Sequence, residues 1–138
     1  MKTIILHNLE ETQKFAIEFA STLKKQDVVL LEGDLGAGKS EISRQIIRTL
    51  CGDETEVPSP TFTLVQEYKG LDFPIFHFDL YRLEYKEEVY ELGIEDSVHQ
   101  GLCLIEWPER LEGMKFDNQI HVKISIDSND SRRVTIKY

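Results

Sequence analysis

Three observations in the sequence predict an α/β fold with helices on both faces of a central, mostly parallel sheet. The apolar run Val28-Val29-Leu30-Leu31 leads into a glycine-rich loop and then into a helical pattern. Two later apolar runs each end in an acid, Asp79 and Glu106. Near the C-terminus, apolar residues alternate at positions 120, 122, 124 and 126 and again at 134, 136 and 138, the period of a strand pair with one buried face. With 138 residues, 41% of them hydrophobic, the chain is expected to form one domain over residues 1 to 138, large enough to bury a core.

The elements follow in order. Residues 2 to 6 alternate like a first strand. From Glu10, the apolar positions Phe15, Ala16, Phe19, Ala20 and Leu23 share one face of a helix expected to run to about Lys25, with Asn8 as its cap. Residues 27 to 32 form the strand feeding the loop. The next helix buries Ile42, Ile46, Ile47 and Leu50 and ends at Gly52. Pro58 and Pro60 exclude a helix there, and residues 62 to 68 favour an extended segment. After a turn over 69 to 74, residues 75 to 79 read as a strand, 86 to 92 as a short helix ending at Gly93, and 101 to 105 as another strand. Residues 127 to 131 turn the closing antiparallel hairpin.

Residues 33 to 40, Gly33-Asp34-Leu35-Gly36-Ala37-Gly38-Lys39-Ser40, match the phosphate-binding pattern G-x-x-x-x-G-K-[ST] directly after a strand-like run. Glycines let backbone N–H groups turn inward around a phosphate, Lys39 adds a point charge near the β and γ phosphates, and the Ser40 hydroxyl is suited to Mg²⁺. The helix that follows presents its N-terminus to the anion. Its strand, loop and helix make the predicted architecture a three-layer P-loop NTPase-type fold. A turn that only caps a helix would explain the glycines but not Lys39 and Ser40 together. Lys39 is expected to be exposed to phosphate, with little part in the core.

A phosphate loop needs a carboxylate near the metal, usually at the end of a buried strand. Asp79 and Glu106 both qualify, because strand ends of a parallel sheet open on the loop's edge. One is expected to serve Mg²⁺ and the other to orient the attacking water, a division the residues leave open; either could instead cap a following helix. Ser59, Thr61 and Thr63 offer hydroxyls in a proline-stiffened loop, equally readable as γ-phosphate sensors or ordinary loop residues. His77 taken alone reads as a structural histidine and Trp107 as core, while Arg82, Arg132 and Arg133 read by default as partners in surface ion pairs.

The formal net charge is −9, from 25 acidic and 16 basic residues. That weighs against the chain gripping nucleic acid by itself, since such binding is built from Lys and Arg contacts to phosphate. Acids are dense from Glu84 to Asp96, either as a solvated helix face or as a docking surface. Cys51 and Cys103 have no metal or disulfide spacing, and Cys103 sits in an apolar run. No stretch is long enough to span a membrane, and the start is too short for a signal peptide, so the chain is expected to be cytoplasmic.

GDLGAGKS at 33 to 40, SPTFTLVQEY at 59 to 68 and HFDLYRL at 77 to 83, followed by LGI at 92 to 94 and IEWPE at 105 to 109, together resemble the TsaE family, bacterial ATPases of tRNA threonylcarbamoyladenosine (t6A) biosynthesis. The resemblance extends over nearly the whole chain. It implies an ATP- and Mg²⁺-dependent ATPase working with two proteins, the t6A transferase subunit and its non-catalytic paralogue, to modify adenosine 37 of tRNA, with tRNA met only through the complex. It further implies that residues 36 to 40 hold the phosphates, that Ser40 and Glu106 hold Mg²⁺, that Thr61 belongs to a nucleotide-sensing switch, and that Asp79 lies beside metal and water. Leu9, Thr12 and Arg133 would lie near the rest of the nucleotide. Ser40 stands where the family more often has Thr, and Glu41 brings an acid into the first helical turn, which a helix N-terminus accepts. A small P-loop kinase is the competing reading; such kinases use an arginine-bearing lid, and no arginine lies between Leu83 and Gly101.

Overall fold

The computed structural model describes every residue except Leu35, Ser59, Thr61, Phe62 and Lys86. Among the described residues the strands are β1 (Lys2–Leu6), β2 (Val28–Glu32), β3 (Val65–Lys69), β4 (Pro74–Asp79), β5 (Leu102–Glu106), β6 (Gln119–Ile126) and β7 (Arg132–Lys137). They form one sheet in the order β1-β7-β6-β2-β5-β4-β3. β2 pairs in parallel with β5 and β6, and β4 with β5, while β1–β7, β6–β7 and β3–β4 are antiparallel. Five strands therefore point one way, with β3 and β7 opposed.

The helices α1 (Leu9–Ala20) and α2 (Lys39–Cys51) cover one face, and α3 (Glu88–Glu91), α4 (Ile94–Gln100) and a 3-10 turn at Pro108–Leu111 cover the other. One apolar layer joins Phe15, Phe19, Ile42, Ile46 and Ile47 to Val29, Leu31, Leu102 and Leu104; a second joins Val28, Leu30, Phe76, Phe78 and Ile105 to Val89, Ile94 and Leu111. This explains why β2 and β5 are continuous apolar runs, being covered on both faces, whereas β6 alternates and leaves one face to water. Cys103 lies inside the second layer, where burial pushes its thiol up to about 12.

Two expectations need correction. The first helix ends at Ala20 rather than near Lys25, because the Ser21 and Thr22 hydroxyls donate back to the Glu18 and Phe19 carbonyls and Asp27 accepts from the Lys24 N–H, turning the chain. Leu23 is nonetheless buried. Beyond Gly93, whose φ of 74° interrupts the helical path, the chain re-enters a helix as α4, where the sequence pattern predicts no element between the helix ending at Gly93 and the strand from Gly101. The Asn8 cap stands as expected, its side chain accepting from the Glu11 N–H at 2.8 Å.

Candidate functional site

Parallel register sets the site. Leu31 of β2 pairs with Glu106 of β5, and Glu106 pairs with Asp79 of β4, so the carboxyl ends of the three strands lie in one row. In β4 the positions in phase are Ile75, His77 and Asp79; in β5 they are Leu102, Leu104 and Glu106. Ile75, Leu102 and Leu104 lie in the layer beneath α1 and α2. The same face thus changes from apolar to polar at the sheet edge where the glycine loop opens.

The loop needs its glycines for two reasons. A side chain at Gly33 would place Cβ 2.6 Å from the Ile124 carbonyl oxygen, and Gly36 and Gly38 have φ of 81° and 115°, which side chains rarely adopt. Gly38 precedes the first turn of α2, which carries Lys39 and Ser40.

Lys39 is only 5% exposed, contrary to the expectation of an exposed side chain. Its ammonium donates to the Gly33 carbonyl and lies 3.5 Å from the centre of the Trp107 ring, which Tyr81 packs against at 4.9 Å. Burial lowers the Lys39 pKa, and the charges of Glu106, Glu109, Asp79 and Asp34 work against that shift. Trp107 itself has a φ of 60° and is half-buried rather than core.

The Ser40 hydroxyl donates to Glu106 Oε1 at 3.5 Å. Glu106 is 3% exposed, and its Oε2 accepts from His77 Nε2 at 2.5 Å. Asp79, 6% exposed, accepts from the Tyr81 N–H at 3.0 Å. Among the described residues no cluster of three or more His, Cys, Asp or Glu side chains could hold a metal unaided. A hydroxyl beside one or two carboxylates at a phosphate loop fits Mg²⁺, which keeps several waters and shares its coordination with substrate phosphates.

Beside the loop lies a cleft of about 280 Å³ lined by Leu9, Thr12, residues 36 to 38, Glu41 and Arg132. Leu9 is exposed; Thr12 is buried, its hydroxyl donating to the Asn8 carbonyl. Glu41 accepts from Arg44 at 2.7 Å and Gln13 at 3.1 Å, which neutralises the acid in the first turn and ties α2 to α1. Asp34 is exposed and Ala37 is buried.

Arg133 does not reach this cleft. It pairs with Asp127 at 3.3 Å, while Arg132 donates to the Ala37 carbonyl at 3.1 Å and lies 3.5 Å from the Gly36 carbonyl. Successive side chains of a strand point to opposite faces, so only Arg132 shares the face of the buried Val134 and Ile136. That phase was readable from the sequence. His77 was also legible by phase, two residues before Asp79, but its partner Glu106 lies 29 positions away and required the β4–β5 register. Leu35 and Thr61 lie outside the described residues.

The strand order and the loop ahead of α2 define a three-layer fold of the P-loop NTPase class. A family model described as "Threonylcarbamoyl adenosine biosynthesis protein TsaE" matches residues 6–134, and the chain belongs to that family. It is 46% identical over 133 residues to a Rickettsia felis protein named tRNA threonylcarbamoyladenosine biosynthesis protein TsaE, covering 96% of this chain and 78% of that one. The Bacillus subtilis protein of the same name is 38% identical over 129 residues, covering 93% of this chain and 80% of that one. A crystal structure of Bacillus subtilis YdiB matches with a TM-score of 0.80 at 32% identity, over 98% of this chain and 83% of that one.

Proposed function

We propose that this chain is the ATP-binding and ATP-hydrolysing subunit of the cytoplasmic complex that installs threonylcarbamoyl on adenosine 37 of tRNA. The observation that carries the reading is the buried Glu106 carboxylate 3.5 Å from the Ser40 hydroxyl, on the edge where the glycine loop opens. The N–H groups of residues 36 to 40 bind the phosphates, and Lys39 exchanges the Gly33 carbonyl for phosphate oxygen. Ser40 and Glu106 hold Mg²⁺, which when bound neutralises charge on the phosphates. Asp79 orients the attacking water. The cleft walled by Leu9, Thr12 and Arg132 receives the remainder of the nucleotide. Thr61 is assigned to the nucleotide-sensing switch on the resemblance alone.

The protein partners are the t6A transferase subunit and its non-catalytic paralogue, which explains how an acidic chain serves a tRNA pathway: tRNA is met through the complex. The test is steady-state ATP hydrolysis by the chain alone and with both partners. Stimulation by the partners is the expected result. Phosphate transfer to a nucleoside or metabolite without hydrolysis in the complex would instead establish the kinase reading.

A further inference from the structure

The Glu106 carboxylate is held on both sides. Its Oε1 faces the Ser40 hydroxyl at 3.5 Å and its Oε2 lies in hydrogen-bond contact with His77 Nε2 at 2.5 Å, with the histidine 2% and the glutamate 3% exposed. We propose that His77 is a positioning residue for Glu106, fixing one carboxylate oxygen so that the other is turned toward Ser40 and the magnesium ion. This rests on the reading of Glu106 as a metal ligand.

Two physical facts support it. The terminal torsion of a glutamate is broad and roughly two-fold, so an untethered carboxylate would swing between orientations; a hydrogen bond to one oxygen removes that freedom. Buried polar side-chain atoms mostly find a hydrogen-bond partner, so one left without calls for an explanation. Here Nδ1 is buried without a hydrogen-bond partner among the described residues, so the ring's polar bonding goes to Glu106. His77 and Glu106 come from adjacent parallel strands, and the β4–β5 register, which sets His77 opposite Leu104 and Asp79 opposite Glu106, fixes their diagonal contact. Groups that orient a metal's ligands in this way typically change metal affinity by about 10- to 100-fold when lost.

The test uses the full chain with His77→Asn and His77→Gln. The glutamine amide can approach the position of Nε2, whereas the shorter asparagine cannot reach Glu106. For each variant, melting reports folding, ATP affinity is measured in chelator, and Mg²⁺ is then titrated. In His77→Asn the Mg²⁺ half-point should rise by about 10-fold or more with chelator-phase ATP affinity within about twofold, and His77→Gln should recover most of the loss. In a Glu106→Gln background, His77→Asn should add almost nothing to the Mg²⁺ requirement. An unchanged half-point in a folded His77→Asn protein, equal losses in both variants, or additive losses with Glu106→Gln would overturn the assignment while leaving ATP binding in place. Absence of ATP binding by the wild type would overturn the proposed function and this inference together.

Discussion

Asp79 and Glu106 stand side by side in the β4–β5 register, yet their surroundings differ: Glu106 is bonded to His77 and faces Ser40, while Asp79 takes the Tyr81 N–H at the start of a loop. Glu106→Gln should therefore raise the Mg²⁺ requirement for nucleotide binding. Asp79→Asn should leave Mg·ATP binding near normal and lower single-turnover hydrolysis by about 10²- to 10⁴-fold, the range associated with a lost general base. Binding and single-turnover rates in the assembled complex check both, and the reverse pattern would exchange the two roles. The neighbouring arginines make a second contrast. Arg132→Ala frees two loop carbonyls and should weaken ATP binding, whereas Arg133→Ala removes only an exposed pair with Asp127 and should leave affinity unchanged. Equal affinities for the two variants would remove Arg132 from the site.

At the scale of elements, local patterns that act within one strand or helix were legible: the β2 run and the α1 stripe with its Asn8 cap form as the sequence predicts, and the β6–β7 alternation holds at Ile120, Val122, Ile124, Val134 and Ile136 but not at Ile126 and Tyr138, which are exposed at the strand ends. What was not legible depends on register or on small local bonds. The early end of α1 comes from hydroxyl-to-carbonyl bonds, and the Lys39–Trp107 contact joins residues 68 positions apart through the meeting of two strand ends. The α4 helix is hidden in the sequence because Gly93 reads as a terminator, although Glu95 and Asp96 in the following turn are helix-start signals. The loop itself is gripped by its neighbour strand, since β6 comes so close that Gly33 has no room for a Cβ. Gly33→Ala should destabilise the fold by about 1–3 kcal/mol, the usual cost of overpacking. A melting temperature equal to wild type would show that β6 yields.

For the whole molecule, charge is the property that reaches beyond the sheet. The acids from Glu84 to Asp96 are mostly exposed, but Glu88 is committed locally, accepting the Glu84 and Tyr85 N–H groups at 2.9 and 3.0 Å. Glu87 and Glu91 are the cleaner probes. Reversing both to Lys should slow association with the transferase complex and flatten its salt dependence, with ATP affinity of the isolated chain unchanged; equal association rates at low salt would make this face a solvated surface only. The central claim is that the glycine loop and Lys39 hold the phosphates of ATP, and a calorimetric titration of Mg·ATP into wild type and Lys39→Ala tests it most directly. Because the Lys39 side chain is buried against Trp107, the variant's folding is checked by melting in the same experiment. Saturable one-site binding by the wild type is expected, weakened by about 10- to 100-fold in the folded variant, as befits one charge-assisted hydrogen bond of about 1.5–3 kcal/mol. Equal affinity in the two proteins, or no binding by the wild type, would contradict it.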